Sequence, residues 1–236
     1  MRHTRIGLFA AFCLAVVGLG RAQEKVEPRG ATTTEKAASA ADRWEKTIAA
    51  FEAEDQASPP LKNAVVFIGS SSIRFWDLKA SFPDVAAINR GFGGSQMVDA
   101  ARYVRRIVTP YNPRLIVLYE GDNDLNAGKS PQQVAADFDE FLKSVRSELA
   151  TTPLIVIGLK PSLSRWKLIE QQREANRLLA SRCAQDGNCQ FLDVEKPMLG
   201  SDGQPKPHIF RADKLHLNDE GYKIWTELLR PLLTGG

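Results

Sequence analysis

The 236-residue chain is poor in the side chains that most often hold metals: it has three cysteines and three histidines. No closely grouped set of four Cys and His ligands is present, so a structural zinc site is excluded. Charge of one sign is scarce too. Against 28 Asp and Glu stand 31 Lys and Arg, a formal net charge of +3. Long apolar runs are limited to Ile6–Leu19. At about 14 residues it falls short of the roughly 20 that a membrane-crossing helix needs, which argues against a retained anchor.

That run has another explanation. Arg2 and Arg5 precede it, and Gly20-Arg21-Ala22 follows it, which is the order of a secretory signal peptide over residues 1–22. Cys13 lies inside the run without a lipobox-like context, so no lipid anchor is expected. Cleavage after Ala22 removes Arg2, Arg5 and Arg21 and no acid, leaving bases and acids in balance. The excess charge therefore belongs to the targeting segment, and no nucleic-acid or other polyanionic partner is indicated. The mature protein is expected to be exported, to the periplasm or beyond the cell.

Export leaves two cysteines, Cys183 and Cys189, with the turn-rich spacer Ala-Gln-Asp-Gly-Asn between them. In an oxidising compartment they are expected to pair, as a local staple contributing ~2 kcal/mol in the chain-entropy model. Two free thiols are the alternative.

Residues 23–38 mix charges with Pro, Gly and a threonine run and carry almost no large apolar side chains. They read as a disordered tether. From about 39 to 56, Trp44, Ile48 and Phe51 recur at helical spacing, predicting an amphipathic helix that docks on the domain behind it. Then short apolar runs alternate with longer helical patterns. The runs are Ala64–Ile68, Val85–Asn89, Leu115–Tyr119, Leu154–Gly158 and Gln190–Asp193, which predict five strands of a parallel sheet. One helix is well marked by Ser130 as cap, Pro131 in its first turn and Gln133 completing a capping box, with Val134, Phe138, Phe141, Leu142, Val145 and Leu149 as its buried stripe. Two more are predicted, one over 165–184 and a terminal one opened by Asn218 that carries Tyr222, Trp225, Leu228 and Leu229. Residues 39–236 thus form one α/β domain.

Ligands of such sheets bind outside the carboxyl ends of the strands. The first strand runs into Gly69-Ser70-Ser71-Ser72-Ile73, placing hydroxyls and outward-facing N–H groups at a strand-to-helix turn. The second ends in Asn89-Arg90-Gly91-Phe92-Gly93-Gly94-Ser95, where glycines allow close backbone approach. The third ends in Glu120-Gly121-Asp122-Asn123-Asp124. Any one of these is also what an ordinary turn looks like. Histidine discriminates: with His3 removed, only His208 and His216 remain. His216 follows Asp213 by three residues, a spacing that can bring the carboxylate onto one ring nitrogen and leave the other to accept a proton. His208, between Pro207 and Ile209, has no nearby acid before it and reads as a surface residue.

Together, Gly69-Ser70-Ser71-Ser72-Ile73, Asn89 to Gly94, Gly121-Asp122-Asn123-Asp124 and Asp213-Lys214-Leu215-His216 resemble, in order and position, the four blocks of SGNH (GDSL-like) hydrolases. The resemblance spans about residues 64–234 and implies a flavodoxin-like three-layer α/β/α sandwich with a five-stranded parallel sheet. It also implies a serine esterase. Ser71 falls on the nucleophile, Asp213 and His216 on its base pair, and Ser71 N–H, Gly94 and Asn123 on the oxyanion hole. Many relatives carry Asp where this chain has Ser70, so three serines are adjacent, and anchoring on Gly69 favours Ser71. No metal or organic cofactor is implied, and the substrate is a small acyl ester or an acylated glycan or lipid.

Two rival readings use the same residues. A metal-dependent phosphoesterase would recruit Asp122, Asp124, Asp213 and His216, but leaves the serine turn and glycine loop unexplained. A non-catalytic carbohydrate- or envelope-binding module would keep the fold without turnover. Arg74, Trp76 and Trp166 are expected to be core or rim residues.

Overall fold

The computed structural model describes residues 33–234, with side-chain environments described for residues 43–233. The expected signal peptide and most of the expected tether lie outside the described residues. The first helix, α1, spans Thr33–Ala57 and so begins ahead of the expected start near residue 39. Its first turns, Thr-Thr-Glu-Lys-Ala-Ala-Ser-Ala-Ala, are rich in alanine, the best helix former, so the last part of the presumed tether is helical.

After α1 come β1 (Val65–Gly69), the short helices α2 (Ser71–Arg74) and α3 (Leu78–Ser81), and β2 (Ala87–Gly91). α4 (Met97–Ile107) leads to β3 (Leu115–Tyr119), and α5 (Asp122–Asn126) and α6 (Pro131–Arg146) lead to β4 (Leu154–Ile157). α7 (Ile169–Asp186), β5 (Cys189–Leu192), α8 (Glu195–Met198) and α9 (Asp219–Thr234) complete the chain. The strands pair in parallel in the order β2-β1-β3-β4-β5, the doubly wound flavodoxin-like arrangement. Among the described residues no helix is long and apolar enough to cross a membrane.

The strands read as continuous apolar runs because both faces of the sheet are covered. Val66, Ile68, Ile116, Leu118 and Val156 pack under α1, α4, α6 and α7. Their strand neighbours Val65, Phe67, Val117, Tyr119 and Ile157 point the other way, into a core closed by Trp76, Phe82, Tyr222, Trp225 and Leu229. The capping box of α6 is present: Gln133 N–H donates to Ser130 Oγ and Ser130 N–H to Gln133 Oε1. Asn218 caps α9 by accepting from Gly221 N–H.

Two further expectations change. β2 runs through Gly91, not 85–89, because its polar residues have partners inside the fold. Asn89 donates to the carbonyls of Ile73 and Trp76, and the buried Arg90 pairs closely with Asp55 of α1 and donates to the Tyr111 hydroxyl. The expected disulfide is absent: Cys183 and Cys189 are free thiols. Cys183 is buried in the last turn of α7, and Cys189 opens β5 after the left-handed Gly187 (φ 77°) ends the helix. The turn does bring the two cysteines close, and the neighbouring Cys183 together with burial pushes the Cys189 thiol well up.

Candidate active site

Three strand ends and one loop converge at the carboxyl edge of the sheet where β1 and β3 lie side by side. β1 ends at Gly69, whose φ of 150° leaves no room for a side chain: a Cβ there would stand 2.2 Å from the Tyr119 carbonyl oxygen. The chain therefore turns at once into α2, with Ser70 and Ser72 buried and Ser71 partly exposed. Of the three adjacent serines, Ser71 is the one whose hydroxyl meets an imidazole, 2.9 Å from His216 Nε2.

His216 lies in the loop before α9. Asp213 Oδ1 accepts from the N–H groups of Leu215 and His216, both at 2.9 Å, and Lys214 between them takes the left-handed conformation (φ 58°) that closes the turn. This leaves Asp213 Oδ2 facing His216 Nδ1 at 2.6 Å. Partial burial pushes the Asp213 carboxyl up, but the hydrogen bond from His216 and the two backbone donors outweigh it and hold it at about 2. An ionised carboxylate on Nδ1 fixes the proton there and leaves Nε2 able to accept the hydroxyl proton. Phe75 meets the same ring edge-on, with centroids 5.1 Å apart.

The other strand ends supply donors. Gly94 sits in the left-handed region (φ 83°) in the loop after β2, and among the described residues neither its N–H nor that of Ser71 has an acceptor. Asn123, at the start of α5, donates from Nδ2 to the Ser95 carbonyl at 2.9 Å and accepts on Oδ1 from Arg165 Nη2 at 3.0 Å. With its oxygen held by Arg165, Asn123 lines the same cleft as Gly94 and keeps a second Nδ2 hydrogen without an acceptor among the described residues. Ser71, Gly93, Gly94, Asn123, Arg165, Leu215 and His216 line one open cleft of about 310 Å³ with Arg74 and Phe75. A larger cleft of about 490 Å³ lies on the far side of Phe75, between α3 and α9, away from the Ser71 and His216 side chains.

The structure thus brings Ser71, Asp213, His216, Gly94 and Asn123 together. His208 is exposed in the turn Pro207–Ile209, and among the described residues its one hydrogen bond is made by its carbonyl, which accepts from Asn218. Trp76 is core, Trp166 half-buried and Arg74 exposed at the cleft. The acids of the metal reading are dispersed on other partners. Asp122 binds Lys160, Arg165 and Gln172, and Asp124 binds Lys129 and the Met97 N–H. Among the described residues no group of three His, Cys, Asp or Glu side chains is arranged to hold a metal ion.

Sequence reasoning missed what stands behind the donors. Arg165 bridges Asp122 (2.9 Å) and Asn123, and the fully buried Lys160 approaches Asp122 Oδ2 at 3.4 Å. Burial works against the Asp122 charge, but Lys160 and Arg165 hold its carboxyl below the usual range. Arg43 and Trp44 of α1, which reach the Gly94 loop, carried no signal beyond helical periodicity.

Residues 72–224 match the model of the GDSL-like lipase/acylhydrolase family, a stretch that contains Gly94, Asn123, Asp213 and His216 and starts just after Ser71. Among curated proteins none matches the chain. Solved structures share the fold. A protein of Streptococcus pneumonia named for platelet activating factor superposes with a TM-score of 0.72 at 20% identity, over 84% of this chain and 98% of its own. A GDSL-like lipase of Bacteroides thetaiotaomicron gives 0.61 at 18% identity, over 82% and 96%. An acetyl-xylooligosaccharide esterase of Geobacillus Stearmophilus gives 0.60 at 13% identity, over 75% and 96%. By the extent of the family match, the chain belongs to the GDSL-like lipase/acylhydrolases and is a hydrolase of ester bonds.

Proposed function

We propose that the protein hydrolyses short acyl esters through a covalent acyl-enzyme on Ser71, with His216 as base and Asp213 as its orienting carboxylate. The observation that carries this reading is the unbroken chain Asp213 Oδ2, His216 Nδ1, His216 Nε2 and Ser71 Oγ, at 2.6 and 2.9 Å. His216 takes the Ser71 proton as Oγ attacks the ester carbonyl. The charge that develops on the carbonyl oxygen is met by the N–H groups of Ser71 and Gly94 and by the Asn123 amide. Each such donor contributes ~3 kcal/mol, roughly a hundredfold in rate. The imidazolium returns its proton to the leaving alcohol, and water then attacks the acyl-enzyme by the same route.

The open cleft, without a covering lid in the described residues, favours an acetyl or similarly small acyl group on a carbohydrate or lipid alcohol. The esterase named among the similar structures acts on acetyl-xylooligosaccharides, which is in keeping with this class. The signal-like residues 1–22 support export, testable by sequencing the amino terminus of the secreted protein, which should begin at Gln23. The decisive experiment is Ser71→Ala, assayed on a short-chain aryl ester: turnover should fall to background while circular dichroism stays native. His216→Ala should be nearly as damaging, and Asn123→Ala should leave a slow enzyme, down about a hundredfold. Wild-type activity in Ser71→Ala would refute the assignment.

A further inference from the structure

The two glycines beside Ser71 each lie against an arginine. A Cβ built on Gly93 would stand 3.3 Å from Arg74 Nη1 and 3.7 Å from Ser71 Cβ, so guanidinium and nucleophile border one atom-sized gap. A Cβ on Gly94 would stand 3.2 Å from Arg43 Nη2 and 3.5 Å from Trp44 Cη2. The two cations come from different elements, Arg74 from α2 and Arg43 from α1, and lie against the adjacent glycines Gly93 and Gly94.

Neither is neutralised. Among the described residues no carboxylate pairs with Arg43 or Arg74, whereas Arg90, Arg106, Arg146 and Arg165 each hold an acid. Their contacts are ring faces instead: Arg43 lies 4.6 Å over Trp44 and Arg74 5.6 Å over Phe75. Stacking on a ring orients the guanidinium and leaves its in-plane N–H donors unused, the fork that matches a carboxylate or phosphate. The acids closest to the cleft are committed, Asp213 to His216 and Asp122 to Arg165 and Lys160. Arg74 therefore brings unpaired positive charge into the cleft beside the apolar Phe75 and Leu215, and Arg43 adds a second unpaired cation against the Gly94 loop.

Resting on the reading of Ser71 as nucleophile, we propose that the natural ester carries an anionic oxygen group, a carboxylate or a phosphate, close to the scissile bond, and that Arg43 and Arg74 receive it. The substrate class is then an acylated uronate or an acylated alcohol phosphate, ahead of a neutral acetylated glycan or a simple triglyceride.

The test compares kcat/KM for esters that differ in that group: the acetate of a neutral methyl xyloside, the acetate of a methyl glucuronoside, acetylated glycerol phosphate, and the hemisuccinate of the neutral xyloside. At least one anionic ester should exceed the neutral acetate by about tenfold, the scale of a charge-assisted contact at a part-exposed site. The winning ester identifies the anion and the side of the ester on which it sits. The preference should shrink toward one in Arg43→Gln/Arg74→Gln and in about 0.5 M salt, which screens exposed charges. Equal kcat/KM for all four esters, or a preference untouched by the double variant, would overturn the proposal. Turnover of the neutral acetate by the wild type, and its loss in Ser71→Ala, keep that outcome separate from failure of the esterase reading.

Discussion

Glu120 ends β3 fully buried, with Ser95 closely bonded to Oε1 and no hydrogen bond to Oε2. A carboxylate there would place bare charge in the core beside the Gly94 loop. Burial pushes its proton affinity well above the usual carboxylate range despite the Ser95 hydroxyl, so Glu120 is a neutral acid that braces Ser95. The sign of the linkage follows: the folded state keeps a proton that the unfolded state releases above about 4.5, so this site costs stability as pH rises. Glu120→Gln keeps the shape and removes the proton. Its melting temperature relative to wild type should climb as pH rises above about 4.5, and a difference that does not change with pH would contradict a neutral Glu120.

Arg165 stands one residue removed from the proposed reaction, bonded to the Asn123 carbonyl and the Asp122 carboxylate. Lysine cannot make both bonds. Arg165→Lys should lower kcat about tenfold with little change in KM, and combining it with Asn123→Ala should cost no more than Asn123→Ala alone, since both act through one amide. Full additivity would make Arg165 a structural residue only. The groups that meet the reacting atoms in this scheme, Ser71, Gly94, Asn123, Asp213 and His216, were legible because each falls in a short motif at a strand end. Arg165, Lys160 and Glu120 were not, because their importance lies in contacts 38 or 42 positions away, or 25 for Ser95 to Glu120, which no local pattern encodes.

At the scale of elements, α1 is the surprise. Its apolar side was readable as Trp44, Ile48 and Phe51, and Trp44 does pack edge-on against Phe92 at 5.6 Å. Its polar side was not: Glu45 and Glu52 grip Arg106 of α4, and Asp55 closes on Arg90 of β2. Trp44 therefore backs the loop that carries Gly94. Trp44→Ala should cost about 3 kcal/mol in urea unfolding, in the range for a buried tryptophan, and should also slow turnover of a small ester. The strand was ended at Asn89 for a related reason, since Arg90 and Gly91 look like loop residues until the Arg90 partners Asp55 of α1 and Tyr111 are known.

For the whole molecule, the doubly wound sheet was legible from five apolar runs of strand length separated by helical patterns. What the runs could not convey was strand order, which depends on crossovers, and the state of the two cysteines, which depends on chemistry after folding. The domain closes its core without a covalent staple. Its melting temperature should consequently shift by less than about 2 °C on adding reductant, and both thiols should alkylate once the chain is unfolded in denaturant alone. A fall of several degrees with reductant would mean that Cys183 and Cys189 had paired. The near balance of charge likewise describes the average surface and hides the local excess of Arg43 and Arg74.

Arg43 and Trp44 come up against the Gly94 loop, so the amino-terminal helix stands behind one side of the proposed site. Deleting the residues up to Trp44, or fusing a bulky tag directly ahead of α1, should change kcat/KM for a small ester while leaving Ser71, Gly94, Asn123, Asp213 and His216 in place. Differences in substrate range between preparations should be traced first to where each begins.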